Sequence, residues 1–151
     1  MQMVEVRPSV KEDIHLLSPY ICNEDRRAAA AFHLSSLQAL ELSFLQSIEV
    51  YSAFLDGKII CMFGIIPLFG NKACIWFASS DEREKIPITV LRHSKAIVSK
   101  YLETYNSLEN YILAGNEKLK SWLKWLGAEF DMPVITETGE RFERFIIRKP
   151  S

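Results

Sequence analysis

The chain has 151 residues, 18 basic and 19 acidic, with a formal net charge of −1 and 48% hydrophobic residues. Those values fit one soluble globular domain and provide no concentrated basic face of the kind that nucleic acid or an anionic membrane needs. Cys22, Cys61 and Cys74 are odd in number and widely spaced, with no C-x-x-C, which argues against a disulfide framework or a zinc ribbon and for a reducing cytoplasm.

No basic region and apolar core follow Met1, so no signal peptide is expected. Val4 to Arg7 alternates and reads as an opening strand ended by Pro8. Ser9-x-x-Glu12 has the form of a capping box, so a helix is expected through Ile14, Leu16 and Leu17 to about Ser18, stopped by Pro19. Asn23 is the expected cap of a second helix through Ala28 to Ala31. Ser35-x-x-Gln38 is the capping box of a third, with Leu37, Leu40 and Phe44 on one face. One bent helix is the alternative to these two. Ile48 to Leu55 is strand-like, and Asp56-Gly57 is a type I′ hairpin signal, because both central residues must take positive φ. Lys58 to Phe69 returns as the partner strand. It is apolar enough to be covered on both faces, and too short and interrupted (Gly64, Pro67) to span a bilayer. After a turn at Gly70-Asn71, Ala73 to Ser79 makes another buried strand.

A polar loop from Ser80 ends at Pro87, which suits the first turn of a long helix to about Tyr105. Val90, Leu91, Ser94, Ile97, Val98, Tyr101 and Leu102 give that helix its stripe. Leu108 to Ala128 then reads as strand, polar break and helix. Asn116 is the N-cap, and Glu117 complements the helix dipole in the first turn. Leu119, Trp122, Leu123 and Leu126 form one apolar stripe, and Gly127 is the C′ residue. A strand over Glu129 to Ile135, a turn at Glu137-Thr-Gly139 and a strand over Glu140 to Arg148 close the chain. The expectation is a single α/β domain over residues 1–151. It is of the α+β kind, with a mostly antiparallel sheet of about seven strands and helices on both faces.

This order resembles the acyl-CoA N-acyltransferase (GNAT) fold. Val6-Arg7-Pro8 with Ser9 and Asp13 is similar to the usual GNAT opening. Asn116-x-x-Leu119-x-x-Trp122-Leu123-x-x-Leu126-Gly127-Ala128 is similar to the motif that closes the cofactor side. A narrower resemblance rests on Glu84-Lys-Ile-Pro87-Ile-Thr-Val-Leu91-Arg92-His93-Ser94-Lys95, Asn110-Tyr111, Asn116 and Trp122-Leu123-Lys124-Trp125-Leu126-Gly127. It points to a family of small tailed-phage proteins that includes the internal virion protein A of short-tailed coliphages. That resemblance implies a phage protein of virion morphogenesis or of the internal DNA-ejection core, present in the host cytoplasm or packaged in the particle. Its implied partners are phage or host proteins.

The GNAT resemblance implies three chemical tasks, and each meets an altered residue here. A CoA diphosphate is normally cradled by glycine amides opening a helix. The matching loop, Asp81 to Ile88, has no glycine, loses a donor at Pro87 and carries Asp81, Glu82 and Glu84 against Arg83 and Lys85. The strand before that loop, where a general base often stands, has no carboxylate. The proton donor for the leaving thiolate falls, by motif spacing, on Leu123. No catalytic residue and no metal set is therefore expected; His15, His33 and His93 lack ligand spacing. Phe77, Ser79, Ser80 and Asn116 are the residues that would contact acetyl-CoA if one binds, although capping its own helix explains Asn116 equally well. Three readings follow. The protein could be a GNAT-fold virion protein with a degenerate acyl-CoA site, an active acetyl-CoA-dependent N-acetyltransferase, or a phage binding module that blocks a host factor.

Overall fold

Seven strands form one sheet in the computed structural model, which describes residues 3–82 and 85–150; the expected charges of Arg83 and Glu84 lie outside the described residues. The strands are β1 Val4–Pro8, β2 Glu49–Leu55, β3 Lys58–Leu68, β4 Lys72–Ser79, β5 Ser107–Leu113, β6 Glu129–Ile135 and β7 Arg141–Arg148. The helices are α1 Glu12–Leu17, α2 Asn23–Ala30, α3 Ser36–Gln46, α4 Ile88–Thr104 and α5 Glu117–Trp125. The sheet order is β1-β2-β3-β4-β5-β7-β6. Every described pairing is antiparallel except β4 with β5.

Local chemistry sets the turns. Asp56 and Gly57 take φ of 50° and 81°, as a type I′ turn requires, and Gly70 and Asn71 take 79° and 59°. Both halves of the Ser35–Gln38 capping box are formed. Asn116 Oδ1 accepts the Leu119 N–H at 3.3 Å to open α5. At its end Gly127 (φ 98°) donates to the Lys124 carbonyl, and Ala128 donates to that of Leu123, which together make a Schellman stop.

Three helix starts differ from expectation. Ser9 caps nothing: its hydroxyl pairs with Ser52 Oγ at 2.5 Å, and α1 begins three residues on with no side-chain cap. The buried Asp13 carboxylate holds the corner instead, accepting from Val10 N–H, Ser52 Oγ and both ends of the Arg7 fork. Pro19 does not stop the chain at once; it sits inside a 3-10 turn, Ser18–Tyr20, where its missing donor costs nothing. Asn23 and Pro87 each fall one place from their expected positions, since Cys22 and Pro87 are the N-caps of α2 and α4. The second and third helices are separate, because His33 turns to φ 62° between them.

One face of the sheet packs Ile75, Leu108, Phe145 and Ile147 against Val98, Tyr101 and Leu123 of α4 and α5. The other packs Phe54, Met62 and Trp76 against Ile14, Leu17 and Leu40 of α1 and α3. Each such side chain, fully buried, contributes about 1.5–3 kcal/mol. Trp76 is fixed tightly: its Nε1 donates to Ser47 Oγ at 2.8 Å, and its ring lies over Gly64, where a Cβ would stand 2.8 Å from Nε1. Gly64→Ala is therefore expected to destabilise by about 1–3 kcal/mol through overpacking. The loss should read as a lower urea midpoint at unchanged m-value.

Candidate functional site

The site lies where β4 and β5 part. Their parallel pairing runs only from Lys72↔Ser107 to Cys74↔Glu109. Beyond it, Asn110 replaces the ladder with its side chain: Nδ2 donates to the Ile75 carbonyl at 3.0 Å, and Oδ1 accepts the Tyr111 N–H at 2.7 Å. The far end of β4 is closed differently. Cys22 N–H donates to the Ser79 carbonyl at 2.9 Å, Asp81 N–H to that of Tyr20 at 2.7 Å, and Ser79 N–H to the Asp25 carboxylate at 2.9 Å. In an antiparallel pair alternate residues turn their polar groups toward the partner strand. Ser80 donates to Ile60 of β3, so Ile75, Phe77 and Ser79 face outward. Ile75 and Ser79 are occupied as described. Phe77 alone presents its N–H and C=O to the gap between them.

Cavities open on both sides of this gap. On the α4–α5 side a cavity of about 490 Å³ is lined by Ser79, Ile86, Leu91, Lys118, Trp122 and Trp125, among others. A narrow passage of about 90 Å³ follows, past Phe77, Asn110, Tyr111 and Asn116. A hollow of about 320 Å³ lies on the α2–α3 side and shares Asp25, Trp76, Phe77, Asn110 and Tyr111 with the passage.

Trp122 dominates the first cavity. Its ring sits 4.8 Å from that of Phe77, and its Nε1–H is buried with no partner among the described residues. An orphan N–H of this kind costs about 1–3 kcal/mol. Trp125 stands beside it under Lys95, whose Nζ is 4.5 Å from the ring centre.

The expected site residues divide. Phe77 lies at the gap, Ser79 lines the large cavity and Asn116, buried as the α5 cap, lines the passage. Ser80 stays apart: its N–H is spent on Ile60, and its hydroxyl accepts the Glu82 N–H at 3.1 Å. Leu123 is wholly buried in the core and lines none of the three cavities. Asp25, Asn110 and Trp122 were not expected as site residues. Asn110 did leave a signal, as a polar residue in phase with the inward-facing Leu108 and Ile112. Asp25 left none.

Two of the three thiols are held protonated. Burial pushes Cys61 up to about 12 and Cys74 up to about 11, the latter aided by Glu109. Tyr101 is raised by burial and by Glu49, and Tyr51 by burial and by its hydrogen bond to Glu49 at 3.1 Å.

Over 99% of its length the chain superposes on the ribosomal-protein-S18-alanine N-acetyltransferase of Escherichia coli, with TM-score 0.70, 13% identity and 96% of that chain covered. Spermidine N-acetyltransferase from Vibrio cholerae, solved with CoA and spermine, matches 97% of the chain over 95% of its own, with TM-score 0.68 and 10% identity. A GNAT-family acetyltransferase from Bacillus anthracis matches the same shares at TM-score 0.70 and 8% identity. No family model and no curated protein matches the sequence. The chain thus has the GNAT acetyltransferase fold, and nothing in these comparisons links it to internal virion protein A or to phage. Among the described residues no helix is long and apolar enough to cross a membrane.

The raised thiols and phenols give a pH dependence of stability. Folding holds these protons more tightly than the unfolded chain does, so unfolding releases them. Their contribution is complete below the unfolded thiol value of 9.0 and is lost as pH rises through about 11 and about 12. The urea midpoint should fall steadily above pH 9, and less steeply in a Cys61→Ala/Cys74→Ala protein.

Proposed function

We propose that the protein is a GNAT-type N-acyltransferase that takes an acyl-CoA, acetyl-CoA first, on the α4–α5 side of the gap and an amine on the other. The single observation that carries this reading is the open Phe77 peptide in the β4 edge. Its N–H is turned toward the gap, Phe77 borders the passage and the α2–α3 hollow, and its ring meets that of Trp122, a wall of the larger cavity, at 4.8 Å. A backbone donor so placed suits a carbonyl oxygen that gains negative charge during acyl transfer.

The residues fit the thioester arm of the donor better than its diphosphate. The cavity of about 490 Å³ is roomy and largely apolar, and Lys118 stands on its wall. The loop that should cradle phosphates has no glycine, and Pro87 caps α4 without an N–H. When bound, acyl-CoA supplies an activated acyl carbon. The Phe77 N–H would orient its carbonyl and the Trp122 ring would pack against its arm, while Asn110 and the Tyr20–Cys22 segment hold the β4 edge open and Asn116 fixes α5 over it. Ser79 and Asn116 act here through backbone and cap, and Ser80 takes no part. With Leu123 in the core, α5 offers no acid to the departing sulfur, so slow turnover is expected.

A second reading keeps the fold and drops the chemistry: a GNAT-fold protein with a degenerate site that works by binding phage or host proteins, as the narrower sequence resemblance implies. The glycine-free loop favours it. A melt with acetyl-CoA separates the two. At a hundredfold excess over Kd, binding stabilises by about 2.7 kcal/mol, a rise of several degrees in Tm. Trp122→Phe removes the bicyclic ring that walls the larger cavity, and should weaken acetyl-CoA roughly tenfold, about 1.4 kcal/mol. No shift at millimolar acetyl-CoA would sink the transferase reading.

A further inference from the structure

A tryptophan and a lysine that the chemistry at the gap does not use meet at the wall of the α4–α5 cavity. Trp125 lines that cavity, is 42% exposed and lies one turn along α5 from Trp122. Lys95 Nζ stands 4.5 Å from the centre of its ring. Lys95 is itself exposed and makes no ion pair among the described residues. A CoA thioester ends in an adenosine that carries a 3′-phosphate. We infer that Trp125 and Lys95 hold the donor by this end, with the base against the indole and the 3′-phosphate at the ammonium. The inference rests on the transferase reading for the identity of the ligand and adds to it where the grip lies.

Such a donor has two anionic parts, and the chain is poorly equipped for the diphosphate. The loop that would take it has no glycine, and Pro87 brings no N–H to the start of α4. The Glu82 carboxylate of that loop is answered by Lys58 at 3.2 Å and by Lys85 at 3.5 Å, which leaves those two cations paired. Lys95 is placed differently. It stands about two turns into α4, roughly 10 Å along the axis from Ile88. Leu91, a lining residue of the cavity, lies one turn before it on the same side of the helix. A positive charge is thus carried past the helix start to the ring of Trp125.

The ring and the charge do different work. Every base has a π-face, so stacking on an indole does not by itself choose adenosine. The ammonium chooses a base that also carries a phosphate, which it meets as a point charge. Attraction to the indole face holds that ammonium over the ring before any ligand arrives. A base can then lie against the indole where it borders the cavity, beside the ammonium that overhangs it. Ile86 and Leu91 add apolar wall for the base and ribose. The cavity, at about 490 Å³, falls within the range of roughly 300–1,000 Å³ found for small-molecule sites. The structural alternative is that Lys95 and Trp125 only staple α4 to α5. A staple has no reason to respond to a 3′-phosphate.

The probe is adenosine 3′,5′-bisphosphate, compared with adenosine 5′-phosphate, CoA and dephospho-CoA. Binding is read by calorimetry, with no turnover required. The bisphosphate is expected to bind by itself, to compete with CoA, and to bind roughly tenfold tighter than adenosine 5′-phosphate. CoA should exceed dephospho-CoA by a similar factor. Trp125→Ala should weaken CoA roughly tenfold, and Trp125→Phe, which keeps a ring, should recover most of that loss. Lys95→Gln should erase the preference for CoA over dephospho-CoA and leave the affinity for dephospho-CoA unchanged. A staple would instead lower the Tm of the free protein and leave that preference intact, which overturns the inference. Equal affinity of the unsubstituted protein for CoA and dephospho-CoA overturns it too. If CoA binds and the bisphosphate does not, the inference falls and the transferase reading stands. If the bisphosphate binds as stated and acetyl-CoA does not, the nucleotide site stands and the transferase reading falls.

Discussion

Everything at this site depends on one substitution of partners along β4. A sheet must satisfy its backbone groups, and an interior strand left without a neighbour usually has none to lend. Here the Asn110 amide takes the place of a strand at Ile75, and the Ile21 bridge with the Asp25 carboxylate takes it at Ser79. These contacts satisfy the strand on either side of Phe77 and leave one peptide's worth of edge open. The gap is narrow for that reason, and its position along β4 is fixed by side chains at both ends.

The two layers of helices then give the gap two different environments. Trp122 and Trp125 wall a large cavity on the α4–α5 side. Among the described residues the α2–α3 hollow is lined mostly by apolar side chains, Phe32, Leu40, Trp76 and Phe142 among them. Phe77 thus stands between two spaces of different size and lining. Trp76 ties this arrangement to stability: it is core on one side of its ring and cavity wall on the other, and Gly64 has no Cβ so that the ring can lie there.

The parts legible in the sequence were those written locally. Asp56-Gly57, Ser35 with Gln38, and Asn116 with Gly127 each specify a turn or a cap through their own backbone preferences, and each forms as expected. The strand count and the long α4 followed from periodicity. The splay was not legible, because it depends on which residues far apart in the chain meet. Asn110 meets Ile75 across 35 positions and Asp25 meets Ser79 across 54. Ser9 misled for a related reason: its hydroxyl had a competitor, Ser52, that only the β1–β2 pairing brings near. Motif spacing put the expected proton-donor position at Leu123; in the structure Leu123 lies in the core and the neighbouring Trp122 lines the cavity.

Whether such a site can still catalyse is a question of relative magnitudes. General acid–base assistance contributes typically 10²–10⁴-fold, so an absent acid on α5 and an absent carboxylate on β4 slow a reaction without abolishing it. A preorganised donor aimed at a developing oxyanion is worth about 10²–10³-fold by itself, and holding two reactants in register can contribute more than either. On the proposed reading the Phe77 N–H would be such a donor, and the passage between the two cavities would set such a register. Loss of the glycine cradle acts elsewhere. It removes binding shared by ground state and transition state, which raises KM and leaves the chemical step alone. On the proposed reading the altered residues of this chain would therefore weaken the grip on the donor's phosphates and the handling of protons, and the Phe77 N–H would remain to stabilise the transferring carbonyl.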